Sequence, residues 1–116
     1  MTDEHLDLDA LSALREVMED EYPKLLDTFL DDSQKRIDAL RKSRGDAKAL
    51  GRIAHSFKGS ASNMGAVRLA ALCQELESDA KDKSPAEIVK LVAEISGEFA
   101  EVRPVYESEK HPAHTH

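Results

Sequence analysis

The sequence has no tryptophan and few aromatic residues of any kind, two tyrosines and three phenylalanines. Its core must therefore be built mainly from Leu, Ile, Val and Ala, a composition that suits helices better than sheets. Cys73 is the only cysteine, which excludes an intrachain disulfide. It recurs in phase with Leu69 and Leu76 and is read as a buried structural thiol. Long apolar runs are also missing. The opening MTDEHLDLDA is acidic and offers neither a signal peptide nor a membrane anchor, so the cytoplasm is the expected location. No phosphate-binding glycine loop or other nucleotide-binding motif occurs. No internal repeat or linker interrupts the 116 residues, which are read as one domain. A chain of this size buries roughly two-thirds of its unfolded surface, enough for a single core.

Basic charge is scarce overall, and the net charge of −7 argues against nucleic acid as the main partner. Its distribution is uneven. Residues 1–32 carry 11 acidic and 2 basic side chains, whereas residues 33–58 carry 8 basic and 2 acidic ones. That basic block comprises Lys35, Arg36, Arg41, Lys42, Arg44, Lys48, Arg52 and Lys58. It is either a solvated helix face or a docking surface for something acidic.

Apolar periodicity predicts five helices and no strands. The first covers 8–19, with Leu11, Leu14 and Met18 on one stripe and Asp7 or Asp9 as its cap. The second covers 22–42, with Tyr22, Leu25, Leu26, Phe29, Leu30, Ile37 and Leu40 inward and Pro23 in its first turn. Arg44-Gly45-Asp46 makes a turn in which Gly45 takes a left-handed conformation and Asp46 caps the next helix. An integrin-type reading of Arg-Gly-Asp has no place in a chain expected to be cytoplasmic. The third helix covers 46–63, with Leu50, Ile53, Ala54, Phe57, Ala61 and Met64 inward, and Gly65 ends it. The fourth covers 66–82, with Leu69, Leu72, Cys73 and Leu76 inward. Ser84-Pro85-Ala86-Glu87 is a capping box with proline at the first helical position. The fifth helix runs over 85–103, with Ile88, Leu91, Val92, Ile95, Phe99 and Val102 inward, and Pro104 ends it. Four amphipathic helices joined by short turns predict an all-α antiparallel four-helix bundle spanning 1–106, with the additional short N-terminal helix across one end. Residues 107–116 are expected to form a disordered polar tail.

At about 100° per residue, His55 falls roughly 150° from the apolar centre of the third helix, which places it on the polar face. Gly51 and Gly59 lie one turn before and after it, and Lys48, Arg52, Lys58 and Ser62 share or border that face. Two glycines inside a helix cost about 1 kcal/mol each relative to alanine. Their missing side chains clear the surface on both sides of the imidazole, so that a bulky partner can reach the ring. The competing explanation, close helix packing, conflicts with their phase, which leans away from the apolar stripe. A neutral imidazole nitrogen is a good nucleophile near neutral pH, and attack on an acyl phosphate gives a phosphohistidine. Lys58 supplies a cation within reach of the same phosphoryl oxygens.

The run Ala54-His55-Ser56-Phe57-Lys58-Gly59-Ser60-Ala61-Ser62-Asn63-Met64-Gly65 resembles the signature of histidine-containing phosphotransfer (HPt) domains: His-x-x-Lys-Gly, small residues, then a glycine. Leu69, Cys73, Leu76, Glu77 and the earlier Gly45-Asp46 also fit that pattern, and the likeness covers residues 20–100. It implies a stand-alone HPt protein of a bacterial two-component phosphorelay. It implies His55 as phosphoacceptor at its outer ring nitrogen, Lys58 steadying the phosphoryl group, and Gly59 admitting the partner. Lys48, Gly51, Arg52 and Ser62 would lie on the docking face. The implied partners are receiver domains of hybrid sensor kinases and response regulators, whose phosphorylated aspartate sits in an acidic, magnesium-binding pocket. The basic block would complement that pocket. No cofactor or metal is expected in this chain, and no oligomer, nucleic acid or membrane. Many relatives carry glutamine where Glu77 stands, bonding the inner ring nitrogen. A carboxylate there either accepts that N–H or points to solvent.

Kinase dimerisation helices usually place an acidic residue after the phosphohistidine, then a proline-containing stretch. Here Ser56 follows His55, and the helix holds no proline. ATP-dependent autophosphorylation is therefore not expected, and the phosphoryl group must come from another protein. Three other readings remain at this point: a helical adaptor without chemistry, a metal site built from His111, His114 and His116, and a hydrolase using His55 as base. The bundle lacks the Glu-x-x-His pairs of di-iron proteins, and no serine or cysteine is placed by sequence to serve His55 as nucleophile.

Overall fold

The computed structural model describes residues 5–110. It is all-helical: α1 (Leu8–Met18), a 3-10 turn (Glu19–Glu21), α2 (Tyr22–Lys42), α3 (Ala47–Asn63), α4 (Val67–Asp79) and α5 (Pro85–Lys110). Among the described residues there is no β-strand. Helix α2 packs on α3 and α5, and α4 packs on the same two helices, so the four close into a bundle around one core. Their short connections make neighbours antiparallel. Helix α1 rests on α2 at one end.

The local signals act largely as their chemistry dictates. Asp7 caps α1 by accepting from the Ala10 amide at 3.1 Å, and Asp46 caps α3 by accepting from Ala49 at 3.1 Å. Ser84 and Glu87 form the reciprocal capping box: the Ser84 amide donates to Glu87 Oε1 at 2.8 Å and the Glu87 amide to Ser84 Oγ at 3.2 Å. Hydrogen bonds from the Ser84 backbone amide and side chain hold the Glu87 carboxyl below its usual range. Helix α3 ends in a Schellman motif. Gly65 takes φ +71°, the Ala66 amide donates to Ala61 O at 2.8 Å, and the Gly65 amide donates to Ser62 O at 3.1 Å. The Asp7 amide also donates to Gly65 O at 2.8 Å, and a Cβ at residue 65 would lie 3.0 Å from Asp7 O. Glycine is thus required there by φ and by close approach together.

The predicted inward residues of α4 and α5 are all buried, as are Leu50, Ala54, Phe57, Ala61 and Met64 from α3. Ile53, Leu14, Met18 and Leu25 are only partly buried, packed at the edge of the core. Gly45 corrects the expectation of a left-handed turn. Gly65 is the only glycine with positive φ among the described residues. The 43–46 turn closes instead with the Ser43 amide on Leu40 O and the Asp46 amide on Ser43 O.

The larger correction concerns Pro104, which lies inside α5 and does not end it. A mid-helix proline removes one hydrogen bond and crowds the carbonyl four residues back, at about 3 kcal/mol. Tertiary contacts of the following turn offset this. Tyr106 is fully buried, its hydroxyl donates to Met64 O at 2.6 Å, and its ring meets Phe29 edge-on at 5.1 Å. Beyond it, Glu109 accepts from the Tyr22 hydroxyl at 3.0 Å, and Lys110 pairs with Asp27 and Glu107. Residues 107–110, expected in a disordered tail, therefore belong to the bundle. Residues 111–116 lie outside the described residues. Tyr106→Phe leaves the Met64 carbonyl buried without this donor, and should lower stability by about 1–2 kcal/mol in chemical unfolding.

A second feature gives no periodic signal. Glu98 lies on the inward side of α5 with a side chain only 5% exposed. Its carboxylate meets His5 Nδ1 at 2.8 and 3.0 Å and Arg68 Nε at 3.4 Å. It ties the segment before α1 to α4 and α5. The Arg68 guanidinium and the hydrogen bonds to His5 make its burial tolerable.

Candidate functional site

His55 stands mid-way along α3 with 69% of its side chain exposed. Ala54 and Phe57, its neighbours on the inner face, are completely buried, so they fix the rotation of the helix that turns His55 outward. Its Nδ1 lies 2.7 Å from Glu77 Oε2 on α4. The other carboxylate oxygen, Oε1, lies 2.8 Å from Lys58 Nζ. Lys58 Nζ also donates to Gln74 Oε1 at 2.8 Å, and Gln74 Nε2 donates to Ser78 Oγ at 2.7 Å. One turn of α3 and one turn of α4 are thus laced by a continuous chain, His55–Glu77–Lys58–Gln74–Ser78.

The protonation pattern follows from Glu77. Hydrogen bonds from Lys58 and His55 hold its carboxyl below the usual carboxylate range, so it is ionised at neutral pH and can only accept. The neutral imidazole must then carry its proton on Nδ1. Its Nε2 bears the lone pair and faces solvent, which is the tautomer a nucleophile needs.

Six of the eight site residues named from sequence fall into two groups. His55, Lys58 and Glu77 are in contact. Lys48, Gly51 and Arg52 line an open groove of about 660 Å³ beside His55, which Glu77, Ser78 and Lys81 close on the α4 side. Ser62 is exposed nearly two turns along α3 and does not line this groove. Lys58 departs from the expected picture in one respect. In this structure its ammonium is engaged with Glu77 and Gln74. Glu77 is directed at His55 and not into solvent. Gln74 and Lys81 were not singled out from sequence. Gln74 lies three residues before Glu77 and four before Ser78, a spacing that puts the three on one helix face.

The glycines carry an informative geometry. A Cβ built at Gly51 or Gly59 would meet nothing within 4 Å. Neither glycine is needed for helix packing, so their cost in helix propensity is not explained by the bundle itself.

Cys73 is fully buried, and burial pushes its thiol up to about 12, where it is no nucleophile. Among the described residues no group of three His, Cys, Asp or Glu side chains could hold a metal ion. His111, His114 and His116 lie outside those residues. No helix among them is long and apolar enough to cross a membrane.

Among the described residues the all-helical bundle presents one exposed histidine, flanked by open glycines and backed by a carboxylate and a lysine, the geometry of a helical protein whose surface imidazole is open to a macromolecular partner. The comparisons with known proteins agree. The Hpt domain family model matches residues 24–103, and the chain belongs to that family. The crystal structure of histidine-containing phosphotransfer protein B (HptB) from Pseudomonas aeruginosa PAO1 is 46% identical. It superposes with a TM-score of 0.90 over 97% of this chain and 99% of that one. A structure described as a histidine-containing phosphotransfer protein from rice is 17% identical, with a TM-score of 0.82 over 92% and 80% of the two chains; it shares the fold. Comparison with curated proteins finds no match.

Proposed function

We propose that His55 is the phosphoacceptor of this chain, taking a phosphoryl group from a receiver-domain aspartate of a sensor kinase and passing it to the receiver domain of a response regulator. Family membership carries the general role, histidine phosphotransfer within a phosphorelay. The observation that carries the assignment to His55 is the pairing of its Nδ1 with Glu77 on a ring that is otherwise open to solvent. Nε2 attacks the phosphorus of the aspartyl phosphate, the P–O bond to the aspartate breaks, and the carboxylate leaves. Lys58 moves from Glu77 to the incoming phosphoryl oxygens, Gly59 admits the partner, and Lys48, Gly51, Arg52 and Ser62 form its docking face. The chain works as a monomeric cytoplasmic carrier. It needs no cofactor of its own, since the magnesium belongs to the receiver. Nucleic acid and membrane have no part in it.

Incubation with a phosphorylated receiver domain should transfer label to this protein, in an acid-labile, alkali-stable form, while ATP alone should not. Robust self-labelling from ATP would sink the carrier reading. Lys48→Glu with Arg52→Glu, on the groove beside His55, should slow association with the receiver by about tenfold at low ionic strength, and added salt should slow the unmutated protein similarly. Stopped-flow mixing across a salt series measures both.

A further inference from the structure

Glu77 reaches the reacting ring through its far nitrogen and shares its carboxylate between that ring and Lys58. This arrangement has a consequence for the loaded state. When a neutral imidazole protonated on Nδ1 attacks through Nε2, the new P–N bond leaves the ring a cation that still carries the Nδ1 proton. If that proton is lost, the phosphoryl group can depart only from an imidazolate, a poor leaving group, until the ring is reprotonated. If the proton is kept, the leaving group is a neutral imidazole.

We propose that Glu77 is a positioning residue that retains the Nδ1 proton of phosphorylated His55, so that the carrier gives up its phosphoryl group readily at and above neutral pH. The proposal rests on His55 being the phosphoacceptor. The ionised carboxylate 2.7 Å from Nδ1 favours the cationic ring directly. Lys58 strengthens the effect by leaving. In the unloaded protein its ammonium neutralises Glu77 Oε1 from 2.8 Å. A phosphoryl dianion on Nε2 competes for that ammonium. As Lys58 turns toward the phosphoryl oxygens, the full carboxylate charge falls on the ring proton. No proton enters or leaves during the cycle: Nδ1–H persists from attack to departure, and only the P–O and P–N bonds exchange.

The surroundings do not supply an alternative holder for this proton. On α3 the charged neighbours are Lys58, Arg52 and Lys48, and on the α4 side Glu77 and Lys81. From α2, Arg36 and Lys35 flank Arg52 across a separate groove. Glu77 is the only carboxylate in this set, and hydrogen bonds from Lys58 and His55 hold its carboxyl below the usual carboxylate range. A glutamine at the same place accepts the same hydrogen bond through its amide oxygen but brings no charge.

The test compares the unmutated protein with Glu77→Gln. Each is labelled with a phosphorylated receiver domain or with phosphoramidate, freed of donor, and followed for loss of phosphate across a pH series. At about pH 8 the unmutated protein should lose label about tenfold faster than the variant, the scale expected from one opposite charge close to the ring. The ratio should fall toward one at about pH 5, where the ring of the variant also holds its proton. Nitrogen-15 spectra of the loaded proteins at the higher pH should show an N–H type Nδ1 in the unmutated protein and an unprotonated Nδ1 in Glu77→Gln. A ratio that stays constant with pH would mean that Glu77 merely repels the phosphoryl group, and the proposal would fall. Equal lability at every pH would overturn it as well. Loaded His55 with no pH-dependent difference thus defeats this proposal alone, whereas failure of both donors to label His55 defeats the phosphoacceptor assignment beneath it. The Glu77 side chain is 27% exposed on α4 and glutamine is nearly the same size, so thermal melts of both proteins should coincide closely enough to exclude misfolding as the cause.

Discussion

His55→Gln should take up no phosphoryl label from a phosphorylated receiver domain, while its bundle should melt within a few degrees of the unmutated protein. Both halves of this result follow from position. The imidazole is 69% exposed, so its replacement leaves no cavity in the core. Its neighbours Ala54 and Phe57, which do pack inside, are untouched. Glutamine can still reach toward Glu77, and its helix propensity is better than that of histidine. Exposed substitutions of this kind usually change stability by no more than about 0.5 kcal/mol. The glutamine cannot take over the chemistry, because the lone pair of its amide nitrogen is delocalised and offers no nucleophile to replace Nε2. The loss should therefore be complete, and phosphopeptide mapping of the unmutated protein should place all label on residue 55. Retained label in the variant would move the acceptor elsewhere and undo the assignment. Circular dichroism melts check that the loss is chemical.

The positions of the helices and the outward turn of His55 are legible from apolar spacing, because burial of one stripe decides both. Leu50, Ala54, Phe57 and Ala61 recur at three- and four-residue steps, and all four are buried. The capping box at Ser84 and the terminator at Gly65 are equally local, and both form. Pro104 shows where local rules end. The sequence penalty is real, but Tyr106, two residues on, gains a buried seat and a hydrogen bond to Met64 O, a residue 42 positions away. Nothing near Pro104 announces that partner. Glu98 is similar: among Ile95, Phe99 and Val102 it reads as an exposed charge, and only the fold supplies His5, 93 residues distant, and Arg68. Glu77 was brought into view by resemblance, but its contact with Nδ1 depends on the register of α4 against α3. Its second contact, with Lys58, links two site residues that spacing alone places on separate helices. Gly45 errs in the opposite sense, since a glycine in a turn need not use its left-handed freedom.

Gly59→Gln should raise thermal stability and yet cost about a hundredfold in transfer from a receiver domain, the loss typical of displacing reacting groups by about 1 Å. Stability should rise because glycine in a helix interior is disfavoured by about 1 kcal/mol relative to good helix formers. The space around residue 59 is open, with nothing within 4 Å of a built Cβ, so the first atom of a new side chain meets no steric resistance in the bundle. Transfer should fall for the same geometric reason. Residue 59 is exposed one turn beyond His55, and a long side chain there occupies the volume through which a partner backbone approaches Nε2. Gly59→Ala adds only a methyl group and should keep most of the transfer rate while gaining the stability. Phosphoramidate needs no docking surface, so it should label Gly59→Gln and the unmutated protein at similar rates. That pair of donors separates steric access from imidazole reactivity: an inert ring fails with both, a blocked one with the receiver alone. Transfer from the receiver at the unmutated rate would show that the clearance at Gly59 has no part in docking. Since the open space at residue 59 already excludes a packing role, its glycine would then stand without an explanation.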